Sequence, residues 1–400
     1  MIKLHNLNKT VFFTLSFLSL VALSSCSKSE DLTVKVGILH SQTGSMAISE
    51  IPVSQAELLA IDEINNAGGV LGHQIVPVVR DGQSNPKIFS DMATKLIEDD
   101  GVATIFGCWT SDSRKAVRNV VESHYNLLWY PLQYEGMEAS PNIMYIGAAP
   151  NQQIVPAIDY CAEHFGKKMY LVGSDYVFPQ TANRIIRAQL KDMGGKIVGE
   201  EYVPLGSDSF DSIIEDILKT KPDVIINTLN GDSNIAFFAQ LKTAGITSEK
   251  IPVMSFSISE SEIAGIDAAN CAGNYVAWPY FESIANVQNR NLIENFRKNY
   301  GKTDRIGAPI EAGYIAVYLW AAACEKAGSF DVEEIRIASK GMSYVSPEGM
   351  ITIEGSNQHL NTKARIGIIL SNGTIKEIWS TETVVRPDPY LSTYAWARGL

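Results

Sequence analysis

Apolar runs of strand length alternate with amphipathic segments of helical length along most of the chain. The first run, residues 34–39, is followed by a segment in which Leu58, Ile61 and Ile64 recur at helical spacing. Strands that alternate with helices across short loops predict βαβ units and a parallel sheet. The alternation starts again after residues 143–147. The pattern therefore predicts an α/β protein with two doubly wound parallel-sheet lobes.

The best-defined strand-to-helix turn lies at residues 107–111. An apolar run over 102–106 stops at Gly107, and Val117, Val120 and Val121 then recur at helical spacing. Such a turn directs free backbone N–H groups past the carboxyl end of a strand. In an open α/β sheet that crevice is where ligands bind.

Two local patterns make more specific predictions. Ser54-Gln55-Ala56-Glu57 has the spacing of a capping box and predicts that the first helix begins there. The tail segments 350–353, 365–370 and 375–379 are typical of short antiparallel strands, the last two joined by a hairpin turn.

The order of these elements predicts a chain that crosses between the lobes several times and forms a hinge. Two long helices around 292–299 and 312–327 are expected to return to the first lobe. The expected boundaries are a signal segment 1–25, a tether 26–33, lobe 1 at 34–149 and 282–340, lobe 2 at 150–281 and 341–385, and a tail 386–400.

The N-terminus is typical of an exported lipoprotein. Lys3 and Lys9 precede an apolar stretch at 11–23, and residues 23–26 (LSSC) resemble a bacterial lipobox. Cys26 would then be the lipidated first residue of the mature chain. Several acyl chains anchor stably, because each buried CH₂ contributes ~0.8 kcal/mol.

Composition excludes several classes of function. Removal of residues 1–25 takes Lys3 and Lys9 away, so the net charge goes from -11 to -13. An acidic chain without a basic cluster argues against nucleic acid as a partner. The histidines and cysteines show no metal-ligand spacing, and no motif of a nucleophilic hydrolase occurs. We therefore expect no cofactor, no metal and no catalytic residues, and we expect free buried thiols rather than a Cys161–Cys271 bridge.

Aromatic, hydroxyl and amide side chains collect at the predicted strand ends, in five motifs that contain no obvious basic partner. Such groups suit a neutral polar ligand, which needs many hydrogen bonds but no counter-charge. The motifs are 106–111 (FGCWTS), 130–136 (YPLQYEG), 147–153 (GAAPNQQ), 173–176 (GSDY) and 230–232 (NGD).

The five motifs, in this order, resemble the urea-binding and short-chain-amide-binding branch of the type I periplasmic binding proteins, which also include branched-chain amino acid receptors. The resemblance implies a two-lobed receptor with its ligand in the cleft between the lobes. It also implies a set of ligand-binding residues: Trp109, Ser111, Tyr130, Gln133, Tyr134, Tyr176, Asp232 and Ser257. Related amide sensors have tyrosine at the position of Trp109 and proline at that of Gln133.

The expected function is therefore an extracytoplasmic receptor, anchored to a bacterial membrane through Cys26, that binds urea and passes it to an ABC permease. Three alternatives stay open at this stage. The first is a receptor for short amides or branched-chain amino acids, with Asp232 or Glu260 as the partner of an ammonium group. The second is an amide-sensing regulator, which the export signal argues against. The third is an amidohydrolase, for which no catalytic set is evident.

Overall fold

The computed structural model describes residues 32–301 and 305–400. The expected signal segment and Cys26 lie outside the described residues. The described chain forms two parallel α/β sheets and one small antiparallel sheet, which confirms the predicted fold class.

Residues 33–145 build the first lobe. In chain order its elements are β1 (Thr33–His40), α1 (Ala47–Asn66), β2 (Gln74–Asp81), α2 (Pro86–Glu98), β3 (Ile105–Gly107), α3 (Ser111–Ser123), β4 (Leu128–Tyr130) and β5 (Ile143–Tyr145). The sheet order is β2-β1-β3-β4-β5, and all neighbours are parallel. Every residue of β3, β4 and β5 is buried, as expected for strands covered by helices on both faces.

The first helix differs from the capping-box prediction. It begins at Ala47, so Ser54 lies inside it and is 3 % exposed. The Glu57 carboxylate, instead of capping, contacts the Nε2 atom of the buried His40 at 3.0 Å. A serine and a glutamate three residues apart also occur inside helices, so this spacing alone does not locate a helix start.

Residues 154–278 follow with the second set of alternating elements. They are α4 (Ile154–His164), β6 (Lys168–Ser174), α5 (Val177–Asp192), β7 (Lys196–Val203), α6 (Asp211–Thr220), β8 (Val224–Thr228), α7 (Ser233–Thr243), β9 (Val253–Ser255), α8 (Glu260–Ile266), α9 (Ala268–Cys271) and β10 (Tyr275–Trp278).

The remaining elements are distributed over both lobes. They are α10 (Val287–Asn299), α11 (Ala308–Ala327), α12 (Val332–Ser339), β11 (Ser343–Ser346), β12 (Gly349–Ile353), β13 (Leu360–Asn361), β14 (Arg365–Ile369) and β15 (Ile375–Ser380). The second sheet has the order β15-β14-β10-β9-β8-β6-β7. Its strands β14 and β15 are antiparallel to their neighbours. Helix α11 packs against α1 and reaches β3 and β4 of the first lobe.

The tail strands divide between two sheets, which differs from the boundary expected at residue 341. Strands β11–β13 form the small antiparallel sheet, and His359 bridges to Tyr145 of β5 in the first lobe. Only β14 and β15 join the second sheet. The chain therefore passes from the small sheet to the second lobe between Asn361 and Arg365.

Candidate functional site

The strand order reverses once in each parallel sheet, and the two reversals define the candidate site. In the first sheet β1 lies between β2 and β3, and in the second β6 lies between β7 and β8. Loops after such strands diverge and leave a crevice at their carboxyl ends. The loops after β3, β6 and β8 carry the motifs at 106–111, 173–176 and 230–232.

The lobes contact each other across this crevice. Helix α3 of the first lobe packs against helix α5 of the second. Nε2 of Gln133 donates to the Phe256 carbonyl oxygen at 3.0 Å and to the Ser257 hydroxyl at 3.3 Å. The structure is thus a closed form in which the predicted residues of both lobes meet.

A buried ion cluster lies directly below Ser111. The Arg114 guanidinium is fully buried and donates to Ser111 Oγ at 2.9 Å, to Glu135 Oε1 at 3.0 Å and to Glu138 Oε1 at 3.0 Å. The Ser111 hydroxyl in turn donates to the other oxygen of Glu135. The prediction that these motifs have no basic partner is therefore wrong, because Arg114 binds Ser111 and Glu135.

Every charge of this cluster has an opposite partner. Burial raises the pKa of Glu138, but Arg114 and Lys115 outweigh it and lower that pKa to about 2. Burial likewise opposes the charge of Arg114, while Glu135, Tyr130 and Glu138 raise its pKa well above the ordinary value. Both groups therefore stay ionised, and their charges compensate within the protein.

Three aromatic residues adjoin Ser111. The Tyr130 hydroxyl donates to the backbone carbonyl of Trp109 at 2.6 Å, and the Trp109 side chain is buried, with a relative exposure of 3 %. Burial, followed by the charges of Tyr130, Glu135 and Asp112, raises the pKa of Tyr176. The fold therefore brings Ser111, Tyr130 and Tyr176 from three different strand ends into one cluster.

The other four predicted residues fall in different places. Gln133 and Ser257 meet as described, and Gln133 Oε1 is buried without a partner among the described residues. Tyr134 points away, because its hydroxyl bonds the Glu138 carbonyl at 2.7 Å and His359 Nε2 at 2.6 Å. Asp232 directly precedes α7. It follows Gly231, where an added Cβ would lie 2.6 Å from the Ser45 carbonyl oxygen of the first lobe.

Sequence reasoning missed the charged groups that support the site. Glu135 lies inside the motif at 130–136, and Arg114 is three residues after Ser111, on the same face of α3. Arginine and glutamate are rarely buried, so their position alone did not identify a cluster. A second buried cluster joins His40 to Glu50 and Glu57 below the loop at 41–46.

Cysteines, metal-binding groups and membrane-spanning helices add nothing to this site within the described residues. Their four cysteines are buried and free. Across 32–301 and 305–400, no group of His, Cys, Asp and Glu is arranged to hold a metal ion. In the same part of the chain, no helix combines the length and hydropathy that a membrane span requires.

The family model described as a periplasmic binding protein domain matches residues 34–395, nearly all of the described chain. The chain belongs to this family. It is thus a type I periplasmic binding protein, a solute receptor of ABC transporters for small ligands, and members of this family act as receptors rather than enzymes.

Curated relatives cover most of the chain at low identity. The Leu/Ile/Val-binding protein homolog 6 of Brucella melitensis is 23 % identical over 355 residues, 86 % of this chain and 90 % of that protein. The leucine-, isoleucine-, valine-, threonine- and alanine-binding protein of Pseudomonas aeruginosa is 25 % identical over 342 residues, 83 % of this chain and 88 % of that one.

Solved structures show the same fold. A solute-binding protein of an ABC transporter from Rhodopseudomonas palustris, in complex with 3,4-dihydroxybenzoic acid, has a TM-score of 0.79 at 21 % identity and covers 89 % of this chain and 99 % of its own. A branched-chain amino acid transporter substrate-binding protein from Streptococcus pneumoniae, in complex with isoleucine, has a TM-score of 0.76 at 19 % identity. The match covers 89 % of this chain and 100 % of that one.

Proposed function

We propose that this periplasmic binding protein is a urea receptor. It takes up urea in the cleft between its lobes and delivers it to an ABC permease, held at a bacterial membrane by acyl chains on Cys26. The five motifs that resemble the urea and short-amide branch support this proposal.

The observation that carries the proposal is the internal compensation of charge around Ser111. Arg114 is the fully buried cation of this region, and three of its donors are taken by Ser111, Glu135 and Glu138. The less buried Lys115 also pairs with Glu138. A carboxylate ligand buried here would need a free cation, because an unpaired buried charge is very unfavourable. Polar groups without net charge favour a neutral ligand.

The aromatic residues argue for a small ligand. Trp109, Tyr130 and Tyr176 are buried, with relative exposures of 3 %, 0 % and 8 %. Tryptophan occupies more volume than the tyrosine of the related amide sensors and leaves less room. Urea, which has four heavy atoms, suits such a site better than an amino acid with a branched side chain.

A second candidate is a receptor for amino acids or larger amides. The curated relatives are named for leucine, isoleucine and valine. Asp232 also has a buried Oδ1 without a partner among the described residues, which suits an ammonium group. This candidate, however, still lacks a free cation for the ligand carboxylate near Ser111.

Titration calorimetry on residues 27–400 tests the ligand. We expect heat of binding with urea, weaker binding of acetamide and none with leucine. Binding of leucine without binding of urea would refute the proposal in favour of the second candidate. An ammonia assay after incubation with urea serves as the control for hydrolysis, and we expect no release.

The proposed anchor has a separate test. Cys26→Ala in the full chain should move the protein from the membrane fraction to the soluble fraction after cell lysis. Mass spectrometry of the wild-type N-terminus should show an acylated Cys26. An unmodified N-terminus would contradict the anchor without affecting the ligand assignment.

A further inference from the structure

The direction of the Ser111 hydroxyl is fixed by its two partners. A hydroxyl has one hydrogen to donate and two lone pairs to accept with. Arg114 can only donate, and the carboxylate of Glu135 can only accept. The hydrogen of Ser111 must therefore point to Glu135, and one lone pair accepts from Arg114 at 2.9 Å. The one hydrogen-bonding capacity left to Ser111 is its second lone pair.

Two neighbouring groups have the same polarity. The hydrogen of the Tyr130 hydroxyl is directed to the Trp109 carbonyl at 2.6 Å, so this oxygen too can only accept a further hydrogen bond. The amide hydrogens of Gln133 go to Phe256 and Ser257. Its Oε1 is a further acceptor and has no partner among the described residues.

We propose that Arg114 and Glu135 are positioning residues that make Ser111 an obligate acceptor, so that the cleft selects ligands with amino groups on both sides of a carbonyl. This inference rests on the proposed function and specifies its selectivity. Neither residue needs to touch the ligand. Each acts by restricting the Ser111 hydroxyl to the acceptance of a hydrogen bond from the ligand.

The consequence is discrimination between urea and acetamide, which have similar shapes. Urea has four N–H donors for the acceptors at Ser111 and Tyr130, whereas acetamide presents a methyl group in place of one NH₂. A buried acceptor that faces a methyl group loses its hydrogen bond to water without replacement. We expect acetamide to bind roughly 10- to 100-fold more weakly than urea.

Glu135→Gln provides the sharpest test because it changes the polarity and little of the shape. Arg114 still requires an acceptor, so the new carboxamide oxygen should turn to Arg114 and its NH₂ to Ser111. The Ser111 hydroxyl then accepts from that NH₂ and is free to donate into the cleft. We expect the ratio of the acetamide Kd to the urea Kd to fall at least about tenfold.

Glu138→Gln is the matched control. Glu138 also accepts from Arg114 at 3.0 Å but makes no contact with Ser111, so this variant loses the same charge without changing the hydroxyl. Its Kd ratio should equal that of the wild type. Circular dichroism of each variant establishes that the folded protein is being titrated.

Ser111→Ala tests the same role of the hydroxyl if Glu135→Gln fails to fold. Removal of the acceptor should weaken urea more than acetamide, and in this background Glu135→Gln should leave the Kd ratio unchanged. Equal loss for both ligands in Ser111→Ala, or an unchanged ratio in folded Glu135→Gln, would overturn the inference. Absence of urea binding by the wild type would instead refute the proposed function.

Discussion

The two sides of the cleft are built from different chemistry. The side on the first lobe rests on buried charges, with Arg114 between Glu135 and Glu138 and His40 between Glu50 and Glu57. The side on the second lobe rests on neutral groups. Asn227 donates to Asn234 Oδ1 at 3.0 Å and to Ser255 Oγ at 3.1 Å.

This difference indicates a division of roles. Ion pairs fix the direction of each hydrogen bond, because a guanidinium only donates and a carboxylate only accepts. Amide groups donate and accept, and they cost less to remove from water when a cleft closes. We therefore expect the first lobe to set the polarity of the site and the second lobe to supply a surface that can close repeatedly.

The largest expected effect concerns the ion pairs of the first lobe. Arg114→Met leaves Glu135 and Glu138 buried without their central cation, so we expect the free energy of unfolding to fall by about 3–5 kcal/mol. Denaturant titration at pH 7 measures it. The exposed Arg386, which pairs with Glu354, gives the control: Arg386→Met should cost less than about 1 kcal/mol. Similar losses in both variants would contradict the assigned role of burial.

Trp109→Ala tests the wall of the site on the first lobe. Loss of the indole removes buried contact surface and enlarges the cleft, so urea should bind about 100-fold more weakly while larger amides lose less. Trp109→Phe keeps an aromatic ring and should retain most of the affinity. Unchanged urea affinity in Trp109→Ala would exclude this residue from the site.

A carboxylate of the second lobe shows the opposite titration behaviour from Glu138. Burial raises the pKa of Glu260 to about 8. The backbone N–H of Glu282 donates to this carboxylate and lowers the pKa, but by less than burial raises it. The folded protein thus retains a proton that the unfolded chain releases near pH 4.5. The free energy of unfolding should therefore decrease as pH rises from about 5 to 8, by roughly 2–4 kcal/mol.

Glu260→Gln isolates this contribution. The variant should lack that part of the pH dependence and should be at least as stable as the wild type at pH 8. Glu138, whose pKa is lowered, contributes stability that is present at neutral pH and is lost as pH falls below about 4. The same slope between pH 5 and 8 in wild type and Glu260→Gln would show that Glu260 is not the group responsible.

The smallest expected effect concerns closure itself. Gly231 has a φ of +65°, and a Cβ added there would lie 2.6 Å from the Ser45 carbonyl oxygen of the other lobe. Gly231→Ala should therefore hinder the closed form and weaken urea about tenfold. Gly194 has a φ of +72° with open space around it. Gly194→Ala carries the same backbone strain and should leave the affinity unchanged; equal affinities in both variants would contradict the closure contact.

The sequence predicted the fold because apolar periodicity records which strands and helices are buried. The turn at 107–111 illustrates this, with β3 ending at Gly107 and α3 beginning at Ser111. The resemblance also pointed to Ser111, Tyr130 and Tyr176, which the structure brings together. Their function as ligand residues stays a prediction.

The sequence did not predict which side chains pair with partners far away in the chain. Tyr134 lies in the loop after β4, the strand that ends at Tyr130. Its hydroxyl nevertheless pairs with His359, 225 residues later in the chain. The buried Arg114 pairs with Glu135 and Glu138, which lie 21 and 24 residues later in the chain. Local patterns do not record which charges will meet, so the polarity of Ser111 became evident only from the folded chain.

A crystal structure of the mature chain grown with urea tests the central claim most directly. We predict density for one urea in the closed cleft, with nitrogen atoms within hydrogen-bond distance of Ser111 Oγ and Tyr130 Oη. An empty cleft at saturating urea, or urea with its oxygen on Ser111, would contradict the account.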